Sequence, residues 1–419
     1  EIMPSLVGSE MCIRDSCGHS LPETALFTLK QAPASAQDIP DRENVEEDQG
    51  VDLPLYQCSC CGLVQFDCQP VSYYRDVIRA GGYSTTMTEL RRKQYRHLID
   101  TWHLNRKKFI EVGCGRGEFL KVLTEFPVEV YGMEHREALV EEAVKAGLSV
   151  WREFPETADQ QFQNGPFDVF LSFNFLEHQP EPGVMLEAIY HNLSEGGMGL
   201  VTVPALEYIL EQGSYYELIR DHLAYYSFET LRALLEKYGF AVLEEEMINR
   251  DTISMIVKKK PDWSFESSAQ RKDEAAEAVS ENLQNPDWNS GAALVSVDPL
   301  TDGYRVVMDE TTKLMERLHQ EDKTFALWGA SHQGFTLAAT TPLGSRAEYM
   351  IDSAPFKQGK FAPASHLPIV APDEFFANPV DVVLITAPGY TDEIAGIIRE
   401  RFGSDVEICA MRTNRVEWL

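Results

Sequence analysis

The sequence lacks any apolar run approaching the roughly eighteen residues that a membrane-spanning helix needs, and it shows no signal-peptide pattern. It is also poor in basic residues: 37 Lys plus Arg stand against 66 Asp plus Glu, a formal net charge of −29. Such a surface repels nucleic-acid backbones and anionic membranes, so neither is expected as a main partner. A small molecule remains, and a nucleotide seated in a local basic pocket stays compatible. Dispersed cysteines are missing too. Most of the eight gather early, at Cys12, Cys17, Cys58, Cys60, Cys61 and Cys68. In a large acidic chain that clustering points to a reducing, cytoplasmic setting and a metal site, not to a disulfide framework. With 419 residues and 44% apolar content, the chain is expected to fold as two or three globular domains.

The most informative stretch runs from Glu111 to Glu118, with Gly113, Gly115 and Gly117 alternating. An apolar, strand-like start precedes it and a helical pattern follows. Strand, glycine turn and helix bind adenosine cofactors, because glycine lets the backbone pass close to the ligand. A second acid, Glu134, closes the next strand-like run about twenty residues on, where a carboxylate can accept ribose hydroxyls. A dinucleotide turn spaces its glycines Gly-x-Gly-x-x-Gly. Here the third comes one residue early, which points to S-adenosylmethionine (SAM).

The opening, Pro4 to Asp15, looks like a translated sequencing adapter, so residues 1–16 are set aside from fold reasoning. Residues 17–70 read as a zinc module. Cys58 and Cys61 form one knuckle, with Gly62 for the turn, and Cys17 is half of another. Its mate would fall at Arg14, so Cys12 or His19 is the candidate substitute. The insert from Pro33 to Gly50, rich in Asp, Glu, Pro and Ala, reads as a mobile loop. Residues 71–257 read as the cofactor domain, with strands at 109–112, 128–133, 167–173, 199–203, 241–246 and 253–257. Their alternation with helices implies a mainly parallel sheet covered on both faces. Residues 258–301 read as a connector. Residues 302–419 form a second α/β unit, with a glycine-framed turn from Gly329 to Gly334.

In this order the parts resemble the three-part sugar C-methyltransferases, which join a zinc-binding domain, a class I SAM methyltransferase domain and a C-terminal C-methyltransferase domain. Glu111 to Gly117, Glu134 and Phe173-Asn-Phe-Leu-Glu-His178 carry the middle resemblance. Tyr73-Tyr74 and Gly82 to Met87 resemble the link between the first two domains. Gly329-Ala-Ser-x-x-Gly334, Asp352-x-x-Pro-x-Lys-Gln-Gly359 and Leu367-Pro-Ile369 resemble the last domain. The chain departs from the family at the broken knuckle, at Ile219-Arg-Asp-His222, where a tyrosine and a glutamate are expected, and at Pro363-Ala-Ser365.

The resemblance implies an α/β fold with two Rossmann-like domains, SAM and structural zinc as cofactors, and a nucleotide-linked 4-keto sugar methylated on carbon through an enolate. It marks His222 as candidate base, Asp221 as its tuner, His178 as an orienting or catalytic group, and Tyr225, Tyr226 and Tyr83 as donors to the ketone. Glu111, Gly113, Gly115, Gly117, Glu134, Asn174 and Phe175 are expected at the cofactor, and Cys12, Cys17, Cys58 and Cys61 at zinc. The alternatives are methyl transfer to oxygen or nitrogen of another metabolite, and a non-catalytic assembly protein that retains SAM.

Overall fold

The computed structural model describes residue 17 and residues 20–76, 85–265 and 294–419. Cys12, His19, Tyr83, the adapter-like opening and most of the connector lie outside the described residues.

Three sheets organise the chain. The first is antiparallel: β1 (Phe27–Ala32), β2 (Val51–Gln57) and β3 (Val64–Phe66), completed by β9 (Ala224–Tyr225). The fourth strand comes from the middle of the chain, so the cysteine module does not end at residue 70 as an independent unit. Its inward side chains Leu29, Leu53, Leu55, Val64 and Phe66 share one core with Tyr215, Leu314, Phe335 and Leu367 of later segments.

The second sheet holds β4 (Lys108–Val112), β5 (Glu129–Glu134), β6 (Val150–Arg152), β7 (Phe167–Phe173), β8 (Leu193–Pro204), β10 (Phe240–Ile248) and β11 (Thr252–Lys259). Their order is β10-β11-β8-β7-β4-β5-β6. All neighbours from β8 to β6 pair in parallel, whereas β11 runs antiparallel between β8 and β10. This is the class I SAM methyltransferase arrangement. Alternate residues of each strand serve opposite faces. Phe109, Val169, Leu171 and Phe173 meet Tyr95, Leu98 and Phe119 on one side. Ile110, Phe170, Val201 and Met255 meet Leu186, Ile189, Leu231 and Leu234 on the other.

The third sheet, in the order β14-β13-β12-β15-β16-β17, comprises β12 (Phe325–Trp328), β13 (Met350–Ile351), β14 (Ile369–Val370), β15 (Val382–Ile385), β16 (Glu407–Ala410) and β17 (Glu417–Trp418). It is parallel except for β17. Its long helix, Asp298–Gln320, begins ahead of the expected Tyr304, with proline in its first turn.

The insert corrects an expectation. It is not a loose loop but is tied to two other parts of the chain. The Ala36 N–H donates to the Asp221 carboxylate at 2.8 Å. The Phe361 N–H donates to the Pro40 carbonyl. Asp48 accepts from the Ala364 N–H at 2.5 Å and lies 3.0 Å from His366 Nε2. Its composition signals no local periodicity because the partners that order it are distant in sequence.

Candidate functional site

The site is built at the carboxyl ends of β4, β5 and β7, where a parallel sheet opens towards a ligand. After β4 the chain turns through Gly113, Gly115 and Gly117 at φ of 71°, 59° and 79°. Gly117 precedes the helix Glu118–Leu123, and a Cβ there would stand 2.3 Å from Leu148 Cδ1. No other residue fits that turn without displacing its neighbour. At the end of β5, Glu134 is 1% exposed and accepts the Gly115 and Arg136 N–H groups, both at 2.9 Å. The two oxygens each accept one of these backbone donors. A carboxylate set against a left-handed glycine turn at the sheet edge fits the ribose end of a SAM molecule. Glu111 is fully buried within β4, beneath this turn.

Beyond β7, Asn174 adopts φ 48° and is exposed; its side-chain oxygen accepts the Thr202 hydroxyl at 2.9 Å. Phe175 follows it as a buried ring. It is 1% exposed and packs edge-on against Phe154 in the core.

A single helical turn, Leu176–His178, then brings His178 to a second loop. His178 Nδ1 lies 2.9 Å from the Asp221 carbonyl oxygen. A carbonyl only accepts, so Nδ1 carries the proton and Nε2 offers its lone pair. His222 ends a turn closed by its own N–H on the Ile219 carbonyl, and its ring meets that of His178 edge-on at 4.7 Å between centroids. The next residue, Leu223, donates its N–H to the Glu177 carbonyl, and Phe66 of β3 donates to the Leu223 carbonyl. Two loops and the cysteine module thus clamp the imidazole pair. Burial lowers the pKa of both rings; for His222 the fall is large, and the neighbouring imidazoles of His178 and His332 add to it. Burial thus disfavours the protonated form of both rings.

Asp221 does not tune His222. Its carboxylate turns away, accepting the Tyr73 hydroxyl at 2.5 Å and the Ala36 N–H. Adjacent residues in a turn point to different sides, which is why pairing by adjacency fails. Tyr225 is also corrected. It is 2% exposed, and its hydroxyl accepts the Ile219 N–H at 2.8 Å, so it braces the His222 turn instead of facing a substrate ketone. Tyr226 is buried as well. Two residues of this site escaped sequence reasoning. Tyr73 was noticed only as part of a linking segment. Glu177 is 1% exposed, and burial pushes its carboxyl up to about 8.

In the cysteine module, the Cys17, Cys58 and Cys61 sulfurs lie within 4.8 Å of one another, with Cys17 Sγ 3.3 Å from Cys58 Sγ. Gly62, at φ 76°, returns its N–H to the Cys58 carbonyl. Three convergent thiols on a knuckle fit three of the four ligands of a tetrahedral zinc ion. No helix among the described residues is long and apolar enough to cross a membrane.

Comparison with known proteins agrees with this geometry. Residues 87–245 match the family described as methyltransferase domain, and residues 263–406 match the C-methyltransferase C-terminal domain. The chain is 26% identical over 218 residues to the C-methyltransferase NovU of Streptomyces niveus, a match covering 52% of this chain and 50% of the relative. It is 30% identical over 96 residues to a ubiquinone biosynthesis O-methyltransferase of Methylococcus capsulatus, covering 22% and 40% of the two chains. The matched region thus spans half or less of the length of these curated relatives. Among solved structures, a magnesium protoporphyrin IX methyltransferase from Synechocystis aligns at 15% identity and a TM-score of 0.35, over 45% of this chain and 91% of that one. The two domain matches follow one another along the chain, so it joins a methyltransferase domain to a C-methyltransferase C-terminal domain.

Proposed function

We propose that the protein transfers a methyl group from SAM to a carbon atom of a nucleotide-linked 4-keto deoxysugar, through an enolate. The observation that carries this reading is the pair of imidazoles, His178 and His222, packed edge-on at the cofactor edge of the sheet. A carbon beside a ketone becomes a nucleophile only when its proton is removed and the developing oxyanion is stabilised. His222 takes that proton, and the electron pair of the broken C–H bond moves into the enolate. His178, oriented through Nδ1 by the Asp221 carbonyl, holds the second imidazole against it. When bound, SAM supplies an electrophilic methyl on a cationic sulfur. The chain's part in that step is alignment: the glycine turn and Glu134 fix the adenosine end, and the sheet edge sets the approach. Tyr83, as a donor to the ketone, remains part of the proposal. Cys17, Cys58, Cys61 and Cys12 hold a structural zinc ion on this reading.

The C-methyltransferase C-terminal match supports carbon as the acceptor. A second reading, transfer to oxygen, draws support from the O-methyltransferase relative. It requires no carbon-acid base. One experiment separates them: methyl-labelled SAM, a panel of nucleotide 4-keto sugars and deuterium oxide, read by mass spectrometry. A labelled methyl on carbon, with deuterium entering that carbon when SAM is withheld, supports the enolate. Methylation without exchange favours oxygen. Binding of SAM with no product from any panel member removes the deoxysugar.

A further inference from the structure

Glu177 has no part in the methyl transfer as proposed, yet it lies beneath the two imidazoles that do. Among the described residues, neither of its carboxylate oxygens meets a hydrogen-bond donor beyond its own backbone. Its ionised form is costly there unless a cation compensates it, and without one the group holds its proton. One of its oxygens is 3.8 Å from His178 Nε2. One donor atom from each of Glu177, His178 and His222 lies within 4.8 Å of the other two. Ligands bound at about 2.0–2.2 Å around zinc stand a little over 3 Å apart, so closure requires shifts of about an ångström.

The orientation is that of ligands. His178 spends Nδ1 on a backbone carbonyl and turns Nε2 towards Glu177. This outer hydrogen bond is the one that fixes a metal-bound histidine. The His178 side chain is 24% exposed and that of Glu177 only 2%, so an ion has a way in and a buried floor to rest on.

We infer that Glu177, His178 and His222 form a binding site for a divalent transition-metal cation of the zinc or cobalt type, with water completing its shell. Two imidazoles and one carboxylate suit such ions and not magnesium or calcium, which take oxygen ligands. The site is chemically distinct from the thiol cluster at Cys17, Cys58 and Cys61. Cation binding does not depend on the reaction proposed above. On that reading, an ion held by His222 takes the lone pair meant for the substrate proton, so occupancy and turnover exclude one another.

The test is a cobalt titration of the full chain as purified, followed by visible absorption. One equivalent is expected to bind with ligand-field bands and without a thiolate-to-cobalt charge-transfer band. Glu177→Gln and His178→Asn should each weaken binding by at least about tenfold, while Cys61→Ser leaves it in place. Circular dichroism shows whether each variant is folded, and if one is not, the other together with the wild-type spectrum decides. No saturable cobalt spectrum in the wild type, a thiolate band alone, or unchanged affinity in a folded variant overturns the site. None of these readouts involves methyl transfer, so failure of the proposed reaction would leave this result unaffected.

Discussion

His178 gives its Nδ1 proton to the main-chain carbonyl of Asp221, 2.9 Å away, while the Asp221 carboxylate faces the other direction, onto Tyr73. One residue thereby serves two groups with two different atoms. Its backbone sets the tautomer of an imidazole, and its side chain fastens the linking segment and the insert.

Replacing His222 with Asn should abolish turnover and leave SAM affinity nearly unchanged, because the hydrogen bonds that set Glu134 against the glycine turn come from Gly115 and Arg136. Labelled-methyl incorporation and calorimetry check the two halves. The acidic limb of the pH–rate profile should fall below the ordinary imidazole value, since burial and two neighbouring imidazoles disfavour the protonated ring. Turnover near the wild-type rate would remove His222 from the mechanism.

Replacing Glu134 with Ala should weaken SAM binding by about 1.5–3 kcal/mol, the scale of hydrogen bonds to a charged group. The same change strips the Gly115 and Arg136 N–H groups of their acceptor. Calorimetry reads the affinity, and an unchanged value would show that the ribose lies elsewhere.

Replacing Cys61 with Ser should lower bound zinc from about one ion per chain to well below one, and the thermal midpoint should fall with it. Cys61 is buried against Cys58, so the loss reaches the packing of the module as well as the ion. Elemental analysis of the purified protein decides; zinc content equal to that of the wild type would exclude this thiol as a ligand.

Replacing Asp48 with Ala should release the tip of the insert from the C-terminal domain. Ala364 and His366 sit at φ 62° and 57°, and Asp48 accepts the Ala364 N–H and faces His366. Losing that acceptor should cost about 1–3 kcal/mol. Limited proteolysis should then cut within residues 33–50 faster than in the wild type. Equal cleavage rates would mean that the other ties suffice.

Strand β7 was legible to the residue because Pro166 and Asn174 bound a mainly apolar run broken only by Asp168 and Ser172. Strand β8 was read too short: after Leu193 come Ser194, Glu195 and two glycines, and none of these four carries an apolar signal. The glycine turn and Glu134 were legible because their spacing is local. Tyr73 and Asp221 meet across 148 residues of chain, and no pattern in either segment announces the other. Glu177 looked like an ordinary polar residue before a histidine; only the direction of a single helical turn buries it.

Strand β9 pairs Ala224 and Tyr225 with β3, two residues beyond His222. A segment that carries the candidate base is therefore also the last strand of the cysteine module's sheet. Distortion of the knuckle has a short mechanical path to the imidazole, and loss of activity on chelation would not require zinc to touch any reactant. For protein engineering, the unit of exchange between relatives is not a contiguous block. A chimera that takes residues 17–76 from one parent must take residues 219–226 from the same parent, or it inherits a sheet whose strands have never met.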